Sequence, residues 1–161
     1  MSGQPSPTTA RRATSSIILR GLVALGLLVD AIVHLHLASG YQEASPDGVG
    51  LGNLFRLEAV VAIAATVYVL VRGTRRAHAL AFVVAFTALL AVLASRYVDL
   101  PPLGPLPASY EPVWFPEKAI SAVAEALAAV AAAIALTRNE LGRRSSGRHR
   151  AKGHPEVRSS R

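Results

Sequence analysis

The sequence predicts an all-α fold, a polytopic membrane protein in which four transmembrane helices form an up-down bundle. Four apolar runs have the length of about 20 residues that crosses a bilayer, and polar connections separate them. Charged residues make up only 17% of the 161 residues, against roughly 25% in soluble domains, and they gather at the ends and in the gaps between the runs. The 10 prolines are likewise concentrated outside the runs. Together these observations favour a membrane bundle over a soluble domain.

The first predicted element is a polar segment, residues 1–16, whose composition is typical of disorder. Arg11 and Arg12 precede an apolar stretch, as basic residues do in secretory signals. That stretch is longer than the apolar part of a signal peptide and is interrupted by charged residues, so a retained helix is predicted instead. The predicted four-helix transmembrane domain, residues 17–137, has its helices near 16–39, 52–72, 77–97 and 117–137. A basic tail, residues 138–161, follows and is also predicted to be disordered.

The connection between the third and fourth predicted helices is rich in proline and bordered by aromatic residues. It holds six of the 10 prolines, a density that favours extended backbone. Aromatic residues lie at its ends or within it: Tyr97, Tyr110, Trp114 and Phe115. Tyrosine and tryptophan are the residue types that are enriched at the headgroup level of a bilayer. The sequence therefore predicts a lid that lies on the outer surface of the membrane.

Arginine and lysine residues are distributed unequally between the two sides of the predicted bundle. Fourteen of the 17 lie before or at the start of the first helix, in the connection between helices two and three, or in the tail. Only Arg56, Arg96 and Lys118 lie on the other side. Because short loops rich in basic residues stay in the cytoplasm, we expect a multi-pass protein of the cell inner (plasma) membrane with both termini cytoplasmic.

Composition also limits the partners and cofactors of the chain. It contains no cysteine, which excludes disulfides, zinc–thiolate sites and iron–sulfur clusters within it. The net charge of +7 is concentrated in the tail after the last apolar run. Such a tail is expected to contact anionic lipids of the bilayer rather than nucleic acid. We predict the lipid bilayer as partner, with a membrane protein as a further candidate partner, and no nucleic acid and no cofactor.

Four ionisable residues are predicted to lie at a common depth in the membrane. Asp30, His34, Glu58 and Glu125 fall within a band roughly 7–14 Å below the outer helix ends, counted at 1.5 Å per residue. Asp30 and His34 are four residues apart and so share one helix face. A charged residue at mid-helix costs about 2.5–3.5 kcal/mol in a bilayer, so these side chains are expected to face the bundle interior.

The residues leave three uses of this cluster open. It can be a network of ion pairs and hydrogen bonds that holds the helices in register. It can be a ligand-binding or proton-linked site, since intramembrane ionisable residues are often functional. It can also be a metal site of carboxylates plus His34, but the Glu-x-x-His pairs of di-iron bundles are missing. We therefore predict no catalytic residue and no metal site, and treat Asp30, His34, Glu58 and Glu125 as ligand or proton-linked candidates.

Two segments carry a resemblance to known proteins. They are Asp-Ala-Ile-Val-His-Leu-His-Leu-Ala-Ser-Gly-Tyr at 30–41 and Gly-Leu-Gly-Asn-Leu-Phe-Arg-Leu-Glu-Ala at 50–59. The layout over roughly 17–137 resembles small bacterial four-helix integral membrane proteins of unassigned role and, more distantly, the DoxX-like group. The DoxX-like resemblance implies a membrane subunit of a quinone-linked redox system that acts with a partner. It supplies no catalytic residues.

The sequence contains no complete catalytic or nucleotide-binding motif, so an enzymatic role is not favoured. The function expected first is that of a non-enzymatic accessory or scaffold protein with a buried polar network. The alternative is small-molecule or proton-linked membrane transport through the same residues, and the third is the quinone-linked redox subunit. Broken helices or an inverted repeat would favour transport, and neither is visible in the sequence.

Overall fold

The computed structural model describes residues 7–44, 49–99, 101–102 and 105–152. In these ranges the chain forms four α-helices: α1 (Pro7–Ala44), α2 (Leu51–Arg72), α3 (Arg75–Tyr97) and α4 (Pro116–Lys152). Each contains a part that is long and apolar enough to cross a membrane. These parts are Thr14–Ala44, Leu51–Arg72, Arg75–Tyr97 and Pro116–Arg138. The predicted all-α bundle of four spanning helices is confirmed, and it indicates a multi-pass membrane protein.

Two helices extend beyond their predicted bounds. Helix α1 begins at Pro7 and helix α4 continues to Lys152, so residues 7–16 and 138–152 are helical where disorder was predicted. Once a membrane-anchored helix exists, each further residue adds one hydrogen bond without a new nucleation step, which favours extension into the polar ends. Proline is also well suited to the first position of a helix. The remaining parts of the predicted disordered tails, 1–6 and 153–161, lie outside the described residues.

The four helices form a ring in which consecutive helices are neighbours. Helix α1 packs extensively on α2 and on α4, α3 packs extensively on α4, and the α2–α3 contact is smaller. The diagonal pair α1 and α3 has only a slight contact. Helix α1 therefore presents one face to α2 and another to α4. The residues on the second face contact α4 in the bundle interior.

The core of the bundle is made mainly of alanine, and the large apolar side chains point outward. Buried alanines come from all four helices, including Ala31, Ala62, Ala85 and Ala128. Leucine, isoleucine and valine dominate the exposed surface, as a lipid environment allows. Because lipid is as apolar as a leucine side chain, close contact between helices in a membrane depends on small residues. The core composition therefore matches helices that pack against one another inside a bilayer.

One end of the bundle, called the turn end, is formed by the α2–α3 connection and its surroundings. Gly73 ends α2 in the left-handed conformation, with φ 52°, and its amide donates to the carbonyl of Val69. The side chain of Thr74 then accepts a hydrogen bond from the amide of Ala77 and caps α3. The positive φ at position 73 would strain a residue that has a side chain, which favours glycine, and the guanidinium of Arg20, from α1, lies in the adjoining space.

The opposite end, called the loop end, carries the predicted lid. We call residues 98–115 the lid segment, of which 100, 103 and 104 lie outside the described residues. The amide of Glu111 donates to the carbonyl of Ser95 at 2.8 Å, and the amide of Val49 donates to the carbonyl of Pro105 at 3.1 Å. The hydroxyl of Tyr41 donates to the Glu111 carboxylate. These bonds attach the lid segment to α3, to the α1–α2 connection and to α1.

Candidate functional site

A buried polar cluster joins α1 to α4 in the half of the bundle nearer the loop end. It consists of Asp30 and His34 on α1 and Ser121 and Glu125 on α4, and we call these four residues the α1–α4 cluster. Asp30 and Glu125 are fully buried, and His34 and Ser121 are 9% and 3% exposed. Nδ1 of His34 lies 2.9 Å from Oδ1 of Asp30 and 3.1 Å from the Asp30 carbonyl oxygen. The i, i+4 spacing predicted from the sequence thus gives a direct contact.

Ser121 connects the two carboxyl groups of the cluster. Its Oγ lies 2.6 Å from Oδ1 of Asp30 and 3.0 Å from Oε1 of Glu125. A hydroxyl has a single proton, so Ser121 can donate to only one of these oxygens at a time. Both contacts are hydrogen bonds only when one carboxyl group is protonated and donates to Oγ. The arrangement therefore favours a proton or another cation near the two acids.

Each carboxyl group of the cluster also has an oxygen without a hydrogen-bond partner. These atoms are Oδ2 of Asp30 and Oε2 of Glu125, and both are buried. A buried polar atom that has no partner is costly, by about 1–3 kcal/mol and more for a charged group. Such atoms in a folded protein call for an explanation, such as a bound ion or a functional role.

The fourth residue predicted for this cluster, Glu58, lies beside it. Its side chain is half-buried and its Oε1 is buried without a partner. In the described part of the chain no hydrogen bond connects Glu58 to Asp30, His34 or Glu125. Instead it lines a cavity together with His34. The structure therefore brings three of the four predicted residues into one cluster and places the fourth at the boundary between that cluster and a cavity.

The cavity lies at the loop end between the four helices and the lid segment and has a volume of about 750 Å³. Its walls are mainly apolar and include Leu37 and Leu54. Phe55 forms an edge-to-face contact with His34, at 5.0 Å between ring centres, and a tilted contact with Tyr41 at 4.6 Å. Phe55 also lies three residues before Glu58 on α2, so the two residues share one helix face.

The polar groups at the cavity come from three sources. His34 and Ser121 connect it to the α1–α4 cluster, and Glu58 contributes its carboxylate. On the lid side, Nζ of Lys118 donates to the carbonyl of Glu111 at 2.7 Å and lies 3.9 Å from its carboxylate. Because Lys118 is engaged with Glu111, it does not balance the charge of the deeper acids. Among the described residues, His34 is then the one basic side chain in direct contact with the acids of the cluster.

Sequence reasoning missed part of this site. Ser121 lies four residues before Glu125 and so shares its helix face, but it was not predicted to contact two carboxyl groups. Tyr41, Phe55, Glu111 and Lys118 were not assigned to a site at all. The available signal for Phe55 was its i, i+3 spacing with Glu58. The Tyr41–Glu111 contact joins residues 70 positions apart and leaves no periodic signal.

Comparison of the chain with protein families, with curated proteins and with solved structures finds no match. The geometry of the α1–α4 cluster and of the cavity therefore carries the functional argument.

Proposed function

We propose that this chain is a membrane protein that binds a small lipophilic cation in the loop-end cavity, as a step in small-molecule transport. The observation that carries the proposal is that Glu58, an acid whose Oε1 is buried without a partner, lines a mainly apolar cavity. An anion in such a position gains most from a ligand that brings a positive charge and covers the rest of the cavity with apolar surface.

The aromatic side chains support a cationic ligand. A cation over the face of phenylalanine or tyrosine is attracted by the ring electrons, by about 0.5–2 kcal/mol depending on exposure. Phe55 and Tyr41 are in contact with each other and line the same cavity as Glu58. The volume of about 750 Å³ falls in the range of roughly 300–1,000 Å³ that is usual for small-molecule sites. Charge, aromatic surface and size thus favour the same class of ligand.

The proposal is tested by equilibrium dialysis of radiolabelled tetraphenylphosphonium against full-length protein in nanodiscs of neutral lipid. We expect saturable binding that Glu58→Gln weakens about 10- to 100-fold, because opposite unit charges about 6 Å apart attract each other by roughly 2–3 kcal/mol at an effective dielectric constant of about 20. Glu43→Gln is the matched control, since Glu43 is an exposed acid near the end of α1. It should leave the dissociation constant unchanged. Equal dissociation constants for wild type and Glu58→Gln would refute the proposal.

A scaffold or accessory role is the second candidate, and a separate observation favours it. Ser121 on α4 bonds to Asp30 on α1, so the α1–α4 cluster also links two helices. In that role the cluster fixes the bundle and the cavity is filled by lipid or by a partner's side chain. Under this hypothesis tetraphenylphosphonium shows no saturable binding, and cross-linking in intact membranes captures one partner protein in stoichiometric amount.

For the orientation, we propose that the turn end and both termini face the cytoplasm and that the lid segment faces the outside of the plasma membrane. The support is the excess of basic residues at the turn end, including Arg72, Arg75 and Arg76. A reporter fused after Arg138 should be active only if it functions in the cytoplasm, and one inserted at Asp47 only if it functions outside. An external C-terminus would reverse the proposed orientation and would leave the fold unaffected.

A further inference from the structure

We infer that Asp30, His34 and Glu125 form a binding site for a divalent transition-metal cation of the Mn²⁺ or Zn²⁺ class, inside the bundle. This inference is independent of the ligand proposed for the cavity, because it concerns the α1–α4 cluster behind the cavity wall. One nitrogen or oxygen atom from each of the three residues lies within 4.8 Å of the corresponding atoms of the other two. Two helices therefore already converge on one point with three donor groups.

Two atoms of the proposed ligand set already have the separation of neighbouring ligands of one ion. Ligand atoms about 2.1 Å from an octahedral ion are about 3 Å apart along each edge of the octahedron. Nδ1 of His34 lies 2.9 Å from Oδ1 of Asp30. The spread of up to 4.8 Å among the three ligands requires movements on the order of 1 Å to reach a tetrahedral site.

Charge balance gives a second and independent reason for a cation. The cluster contains two acids, Asp30 and Glu125, and a third, Glu58, lies beside it. Among the described residues, His34 is the single basic group in direct contact with the acids of the cluster. The fully buried side chains of Asp30 and Glu125 each hold an oxygen with no partner. One divalent cation supplies the missing positive charge and gives both oxygens a partner. Neither Ser121 nor His34 does so.

The donor set indicates the class of metal. One imidazole and two carboxylates are nitrogen and oxygen donors that suit Mn²⁺, Fe²⁺ and Zn²⁺, and the absence of cysteine removes the soft thiolate ligand that favours Cu⁺. The metal takes the place of the proton on Nδ1 of His34, which then binds as a neutral imidazole. Ser121 remains outside the ligand set and orients both carboxylates, as residues around metal ligands commonly do.

The cluster also has a route by which an ion can enter. His34 and Ser121 line the cavity as well as the cluster, so an ion that reaches the cavity meets the ligand His34 directly. An entry path is one of the features required of a metal site. The Glu58 carboxylate on the cavity wall lies along this route and attracts cations toward it.

The test is titration of Mn²⁺ into the full-length protein in detergent after dialysis against a chelator. Free Mn²⁺ is counted by its electron paramagnetic resonance signal, and Zn²⁺ is then added as competitor. We expect one saturable Mn²⁺ site per chain, from which Zn²⁺ displaces the bound Mn²⁺. Binding of either ion should release protons. Asp30→Asn, His34→Gln and Glu125→Gln should each weaken the site by about 10- to 100-fold or more, since even supporting residues have effects of that size.

Glu117→Gln is the matched control, because Glu117 is an acid in the first turn of α4 outside the cluster, and it should retain wild-type binding. Circular dichroism of each variant establishes that it is folded. A rise in the melting temperature of wild-type protein on addition of Mn²⁺ or Zn²⁺ provides a readout that does not depend on any variant. Folded wild-type protein that takes up neither ion would overturn the inference and would assign the missing charge to protons. Binding that survives all three ligand substitutions would overturn it as well.

Discussion

The α1–α4 interface has two halves that differ in chemistry although the same two helices form both. In the half nearer the turn end, Gly26 faces Ala124 and Ala128, and a side chain on Gly26 would meet the carbonyl oxygen of Ala124 at 2.7 Å. One turn further along α1, Asp30 meets Ser121 and Glu125 of α4. We call these the small-residue half and the polar half of the interface.

The comparison indicates that the small-residue half makes the polar half possible. A hydrogen bond of 2.6 Å between short side chains on two helices, such as Asp30 and Ser121, requires the two helix axes to be close. Glycine and alanine allow that approach in a membrane, where helix contact depends on close packing. If this dependence holds, a change in the small-residue half should disturb the cluster, whereas a change within the cluster should leave the small-residue half intact.

The largest expected effect is that of Gly26→Leu. A leucine side chain cannot fit against the backbone of Ala124, and overpacking of this kind costs about 1–3 kcal/mol or more. We expect a large fall in the melting temperature of the purified protein and loss of the Mn²⁺ site. Gly21→Leu is the matched control, because no atom lies within 4 Å of a side chain placed there. A stable Gly26→Leu protein with an intact cluster would disprove the dependence.

The next effect concerns Glu125, through the contrast between Glu125→Leu and Glu125→Gln. Leucine removes one of the two carboxyl contacts of Ser121 at a fully buried position. We expect Glu125→Leu to lower the free energy of unfolding by about 1–3 kcal/mol. Glutamine keeps the shape and an acceptor, so Glu125→Gln should be milder in stability. Equal stabilities for the two variants would show that the hydrogen bonding of Glu125 contributes nothing to the fold.

The substitutions at Gly26 and at Glu125 concern features that the sequence revealed to different degrees. Asp30 and Glu125 were placed at the same depth by counting residues along straight helices, which works because the rise per residue is constant. The close approach at Gly26 was not predicted, although Gly26 lies four residues before Asp30 and so shares its helix face. Many glycines and alanines occur in these helices, and a count of small residues does not say which of them face another helix.

The cavity and the position of Glu58 could not be predicted for a similar reason. Glu58 lies at about the same level along the bundle as the cluster. The direction of its side chain relative to α1 and α4 depends on how α2 is rotated in the bundle. That rotation is set by contacts along α2, such as Gly52 against Ala38 on α1, which no local pattern reports. The lid was predicted from its prolines, whereas its attachment through Tyr41 and Glu111 depends on contacts distant in sequence.

A smaller effect is expected for Ser121→Ala. This change removes the hydroxyl that contacts both carboxyl groups but introduces no steric conflict. Hydrogen bonds between membrane helices contribute about 0.6 kcal/mol on average and up to about 1.7. We expect a loss within that range, measured by reversible unfolding in mixed micelles. Ser95→Ala is the matched control, since the hydroxyl of Ser95 donates within its own helix, to the carbonyl of Val92, and it should have a smaller effect.

The smallest effect is expected for deletion of residues 143–161. Helix α4 continues to Lys152, but its membrane-spanning part ends at Arg138, and the segment removed has almost no apolar residues to bury. The contact between Arg138 of α4 and Ser15 of α1 is retained, so both halves of the interface keep all their described contacts. We expect the free energy of unfolding to change by less than about 0.5 kcal/mol, as for surface changes in general. A clear fall in the melting temperature would show that the tail packs on the bundle, and the interface would then have a third part beyond the small-residue and polar halves.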